Sequence, residues 1–286
     1  RDKEQGSSPA TPRACDMTKK KLLLNIFGPI LSVVVLVGLW QAIVVWGNVA
    51  PYIAPKPWDA IKAVTSNWST LAPLTWWTIK ETVYGYLTGA LLGAFLGVVL
   101  NKIPLMQRVL YPLLILTQAI PIIALAPPLV MILGFGVMPK VVIVAWIVFF
   151  PVTVSVLDGL NHVDKDLMTL AKVFGANSLR RFVVLEMPAA ITQLFSGLKI
   201  GATYAVTGAI IGELAASSGS SLALYQRSAS GSLDAAGVYG TTLIMTAIGI
   251  IWFLLVVGAE YLATPWQRRS TARQWRRGAK PVLTNN

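Results

Sequence analysis

Cysteine and histidine occur once each, as Cys15 and His162, in a chain of 286 residues of which only 13% are charged. A lone cysteine excludes a disulfide framework and a thiolate metal site. The single histidine has no cluster of cysteines and acids around it, so no metal-ligand set is present. No glycine loop ending in Gly-Lys-Ser or Gly-Lys-Thr occurs, and the chain is not expected to hydrolyse ATP on its own. A Gly-x-Ser-x-Gly nucleophile elbow is missing too, and nothing supports catalysis.

What the chain has in excess is apolar surface. Hydrophobic residues make up 55% of it, far more than a soluble domain of this length needs, and the composition is that of a membrane protein. The formal net charge of +12 does not point to nucleic acid, because the basic residues sit at the ends of apolar runs and no basic stripe with interleaved aromatics is present. The partner implied is the lipid bilayer.

Taken in order, the chain opens with a polar and then basic tail, 1–21, ending in Lys19, Lys20 and Lys21. Six membrane spans are expected next, at about 22–46, 81–100, 109–133, 141–160, 188–216 and 239–262, within one domain over 22–264. A helix-like piece between Trp58 and Trp68 is flanked by prolines, and Trp46, Trp58, Trp68, Trp76 and Trp77 suit the headgroup region. The second span carries Gly85, Gly89, Gly93 and Gly97, a four-residue repeat that lays bare backbone along one helical face for close packing by another helix. Pro112, Pro121, Pro127 and Pro128 interrupt the third run around Gln118, so that span is expected to be kinked or locally unwound beside protein or a wet cavity. Residues 217–237 read as a polar loop, and 265–286 as a basic tail.

The loop 161–188, between the fourth and fifth spans, has a pattern of its own. Asp164 suits a helix cap; Leu167, Leu170, Ala171 and Phe174 fall at i, i+3, i+4 and i+7, and Gly175 suits a left-handed stop. Asn177 or Ser178 then caps a second stretch running toward Pro188. A helix, a glycine turn and a second helix make a knob on one membrane face. With both termini inside, eighteen of the 24 Lys and Arg lie on the knob's side and five on the other, Lys199 being within a span. The positive-inside rule then puts the knob and both termini in the cytoplasm. Lys165, Lys172, Arg180 and Arg181 face a partner, water or headgroups.

Lys199 and Glu213 are the charges best placed within a span, where each is costly. They are fourteen residues apart, about 21 Å along a helix, too far to pair. Two readings stand: each reaches its nearer interface or bonds neighbouring backbone, or Lys199, Thr203, Thr207 and Glu213 line a hydrated substrate path together with Gln118 and Pro121.

The knob resembles the cytoplasmic loop of permease subunits of bacterial ABC importers, whose pattern is E-A-A, three residues, G, nine residues, I-x-L-P. Here Gly175 precedes Leu185-Glu186-Met187-Pro188 by nine residues, and Thr169-Leu170-Ala171 stands where E-A-A belongs, with only Ala171 matching. The stretches APKPWDAIKAV, WWTIKETVYGYLTGALLGAFLGVVL, QAIPIIALAPPLVMILGFGVMPKV and IIGELAASSG are similar to the branch that imports nitrate, bicarbonate, taurine, alkanesulfonates and thiamine pyrimidine precursors. The resemblance implies an all-α integral membrane protein of type I importer form, working as a homodimer. It also implies two separate ATPase subunits, which hold ATP and Mg so that this chain needs no cofactor, and an extracytoplasmic binding protein. Asp166, Leu167, Thr169, Leu170, Ala171, Phe174, Gly175, Leu185 and Pro188 are the residues it assigns to ATPase coupling. An ion-driven secondary transporter is the rival class; its usual inverted repeat and coupling-ion site are not visible.

Overall fold

The computed structural model describes residues 13–265 except 218 and 220, and among these all regular structure is helical. The expected tails fall largely outside the described residues. Helix α1 spans Arg13–Trp46, α2 Pro57–Ser66, α3 Trp68–Lys102, α4 Pro104–Gln118, α5 Ile122–Leu133 and α6 Val137–Asn161. After them come α7 Lys165–Val173, α8 Ser178–Arg181, a π-turn Phe182–Glu186, α9 Met187–Ala216, α10 Leu222–Gly231 and α11 Ala235–Ala263.

Prolines set several of these boundaries. Ile103 precedes Pro104 and is extended, which ends α3, and Pro121 is itself extended at the start of α5. The α4–α5 pair bends by 101° there. Pro112, Pro127 and Pro128 stay inside helices, so the interruption expected of the third run is concentrated at Ala119–Pro121.

By length and apolarity α3, the continuous stretch Ser178–Ala216, α6 and α11 suffice to cross a membrane, and the bent α4–α5 pair, a broken span or a re-entrant loop by its shape, brings the count to five when taken as one span. The sixth expected span corresponds to α1, whose described apolar part, Leu31–Trp46, is shorter than a full crossing. Two boundaries differ from the sequence reading. Helix α3 begins well before residue 81, at Trp68, and runs through Pro73. The polar loop after α9 contains α10, capped by the Ser221 hydroxyl, which accepts from Leu224 N–H at 3.2 Å.

Helix α6 lies between α3 and α9. On the α3 side, a Cβ added at Gly85, Gly89, Gly93 or Gly97 would fall under 3.0 Å from α6 atoms, among them the carbonyl oxygens of Ala145, Phe149 and Thr153. On the α9 side, Gly197, Gly201, Gly208 and Gly212 bring added Cβ atoms to 3.0 Å or less from Pro151, Val148, Ile147 and Lys140. The faces between are small residues: Val144, Val148, Val152 and Val156 of α6 meet Ala202, Ala205 and Ala209 of α9. Backbones this close gain dispersion contacts that lipid tails cannot match. Tyr86 closes the third side, its hydroxyl donating to the Leu198 carbonyl at 2.8 Å and its ring meeting Trp252 edge-on.

Gly89→Leu is therefore expected to lower stability by about 1–3 kcal/mol or to prevent folding, since backbone cannot yield to the added side chain. Gly258→Leu, at a position with nothing within 4 Å, should leave it unchanged. Thermal unfolding in detergent, followed by size exclusion, checks both.

Candidate functional site

Two features at the α7 end stand apart from the slab. None of the described side chains of α7 is buried. Its cap is in place, the Asp164 carboxylate accepting from Asp166 N–H at 2.8 Å, and it ends at Gly175 with φ +75°, a left-handed value that a Cβ disfavours. Gly175 N–H and Ala176 N–H return to the Lys172 and Ala171 carbonyls, both at 2.9 Å. Leu167, Leu170, Val173 and Phe174 are exposed, Phe174 to 80% of its surface. Asp166 and Thr169 are exposed as well, and Ala171 is half-buried. Such a row of apolar side chains on a short helix is a ready-made anchor for a partner's groove.

Leu185 and Pro188 do not share that face. Both are half-buried at the root of the segment, in and just after the π-turn. Pro188 explains the turn: it offers no N–H and its ring crowds the carbonyl one helical turn back, so the helix widens there. Asn177 caps the preceding turn, accepting from Arg180 N–H at 2.8 Å.

Nearer mid-span, a cavity of about 590 Å³ opens where α4 breaks into α5, lined by Thr117, Gln118, Pro121, Trp146, Ser155, Tyr204 and Thr207 among others. Irregular backbone at membrane depth is tolerated where it borders such a space. A second groove of about 560 Å³ lies on the other flank of α9, with Thr203, Thr207, Gln226, Thr242 and Thr246 in its walls. Thr207 lines both. Between the grooves runs an exposed ridge of Ile200, Thr203, Tyr204 and Thr207. Hydroxyls and a phenol facing outward from a span need another protein surface or water, since lipid satisfies neither.

The structure brings Gln118, Pro121 and Thr207 together, and Thr203 with Thr207, but it removes the two charges from this path. Lys199 is bound by Glu260 of α11, with Nζ 2.9 Å from both carboxylate oxygens. Glu213 is 1% exposed, accepting from the Thr78 hydroxyl of α3 and, at 2.8 Å, from Ala223 N–H at the start of α10. Of the two readings for Glu213 the backbone-bonding one fits: it lies away from the grooves, and its two oxygens tie α3, α9 and α10 together.

Sequence reasoning also missed a buried ion pair. Lys140, one residue outside the fourth span expected at 141–160, is 8% exposed in α6 and its Nζ donates to Glu81 Oε1 of α3 at 2.8 Å. Glu81 Oε2 is buried without a hydrogen-bond partner among the described residues. The available signal was position: Lys140 and Glu260 fall about a turn inside a long helix and Glu81 deeper still, where a charge requires a partner. Lys140→Met alone should cost about 3–5 kcal/mol by stranding Glu81, and Lys140→Met with Glu81→Met should recover most of it. Glu213→Ala leaves the buried Ala223 N–H unpaired, at about 1–3 kcal/mol, while the Thr78 hydroxyl keeps the Leu74 carbonyl as acceptor. Unfolding midpoints in detergent measure all three.

Comparison with protein families matches residues 89–269 to the family described as binding-protein-dependent transport system inner membrane component. The chain is 36% identical to a probable ABC transporter permease protein of Haemophilus influenzae over 199 residues, covering 68% of this chain and 80% of that one. It is 30% identical to the formylaminopyrimidine transport permease protein ThiX of Halalkalibacterium halodurans, over 77% of this chain and 88% of that one. With the taurine transport system permease protein TauC of Escherichia coli the identity is 23%, over 82% and 88%. An all-helical membrane protein with long glycine-packed spans, a matching family and these relatives has one reading: the chain belongs to the binding-protein-dependent inner membrane component family, as a non-catalytic permease subunit of an ABC importer.

Proposed function

We propose that two copies of this chain form the substrate path of an ATP-driven importer in a bacterial cytoplasmic membrane, with both termini and α7 in the cytoplasm. Two separate ATPase subunits receive the α7 helices and hold ATP and Mg, and an extracytoplasmic binding protein delivers substrate. The observation that carries this reading is the exposed apolar row Leu167, Leu170 and Phe174 on a capped helix held off the bundle. The lysine excess on the α7 side supports the orientation. The α9 ridge with its two grooves supports a path completed by a second copy, because an outward-facing row of hydroxyls in a span calls for one.

The substrate is a small polar organic molecule. Lys140 is neutralised by Glu81 and Lys199 by Glu260, and among the described residues no charged side chain lines the cavity at the α4–α5 break, whose walls offer hydroxyls, an amide and aromatic faces. These suit a neutral or zwitterionic solute better than a bare nitrate or bicarbonate ion, whose desolvation needs a free cation. Relatives are named for formylaminopyrimidine, riboflavin, aliphatic sulfonates and taurine.

Leu170→Asp is expected to leave the protein in the membrane at normal level while weakening ATPase association by about thirty-fold or more, the usual effect of losing a central apolar anchor. Quantifying the ATPase that copurifies with each variant checks it. Full retention of the ATPase would remove α7 from the interface.

A further inference from the structure

The π-turn Phe182–Glu186 joins the stand-off segment to the long span α9, so any displacement of α7 reaches the bundle through it. A turn widened by Pro188 is a weak point: its hydrogen bonds follow a sparser pattern, and one residue's change in register can bend it. None of its residues is fully buried, and only Phe182 of the five packs against the core of the bundle. One side chain from another helix grips it at both ends. Lys102, the last residue of α3, places Nζ 4.7 Å from the centre of the Phe182 ring and 2.6 Å from Glu186 Oε2. Phe182 and Glu186 are the first and last residues of the turn. Beside this grip, Asn101 Nδ2 donates to Asn161 Oδ1 at 3.0 Å, holding the end of α3 to the end of α6 just before α7 begins.

We propose that Lys102 is a positioning residue for energy coupling: it clamps the π-turn to the end of α3 so that α7, α8 and the α9 span move together with α3 as one body. This rests on the reading of α7 as the ATPase contact. Without the clamp the turn flexes, and motion at α7 is absorbed before it reaches the groove. Lys102 is partly exposed, so the clamp adjusts one angle and leaves overall folding to the glycine-packed slab.

The test needs no substrate. In the full transporter with its ATPase, Cys15→Ser removes the native thiol and Thr207→Cys provides a reporter in the grooves. The readout is the change in N-ethylmaleimide labelling rate when ATP and vanadate trap the ATPase closed, with ATP hydrolysis measured in parallel. Lys102→Glu, which repels Glu186, should cut the nucleotide response about five-fold while hydrolysis continues. Glu186→Lys should do the same, the exchange of both charges should restore the response, and Lys102→Arg should keep it. A merely structural role would lower the amount of assembled complex and its hydrolysis together with the response, not the response alone. Intact responses in both single variants, or a double variant no better than either, overturn the proposal. A response lost in Leu170→Asp but intact in Lys102→Glu overturns this proposal alone. An unaltered complex with no nucleotide response overturns the coupling reading and this proposal with it.

Discussion

Everything in this permease hangs on α6 being approached by bare backbone from two sides. Four glycines of α3 and four of α9 face it, and each leaves no room for a methyl group. Contacts between backbones do not deform gradually, and a packed interface of this kind either holds or jumps. The three helices therefore behave as a slab. Its outer faces differ: α3 turns large apolar side chains such as Leu91 and Phe95 outward, and α9 turns out its ridge of hydroxyls. Lipid suits the first face and a second protein surface suits the other, so the same packing that makes the slab rigid also decides which side closes a path.

The charged residues follow from this arrangement. Glu81, Lys140 and Glu213 lie where α3, α6, α9 and α10 meet, beyond the glycine contacts at the end opposite α7. They act as pins between helices, and burying them takes their charge away from the grooves. Lys199 is likewise held by Glu260. A path without a free cation then has to discriminate by hydrogen bonding and shape, which is consistent with leaving much of the selection to a separate binding protein. A secondary transporter would instead need an accessible ionisable group in the path, and among the described residues no charged side chain lines either groove.

Much of this was legible in the residues. The four-residue glycine period marked the face of α3 that approaches a neighbour, Asp164 and Gly175 marked both ends of α7, and the proline run marked the break at Ala119–Pro121. Charges were read less well because a one-dimensional run of hydropathy records depth but not azimuth. Lys140 looked like a loop residue since it adjoins Pro139, yet it points inward to α3. Lys199 and Glu213 shared a helix and were weighed as one group, although their partners lie on α11, α3 and α10, far off in sequence. Helix α10 was hidden because Ser, Gly and Arg dominate its surroundings; its cap at Ser221 was the available signal. The π-turn had no sequence signal beyond Pro188, and its clamp depended on a residue 84 positions away.

The central claim is that α7 and the α3–α6–α9 slab travel together while the two copies move against each other. Spin labels at Val173→Cys on α7 and Leu233→Cys beyond α10, both exposed sites, measure it in the assembled transporter. Doubly labelled chains diluted with unlabelled ones give the distance within a copy; singly labelled chains give the distance between copies. Trapping with ATP and vanadate should leave the first constant and shift the second by several ångströms. A within-copy distance that changes while the between-copy distance stays fixed would contradict a rigid slab driven by its coupling segment.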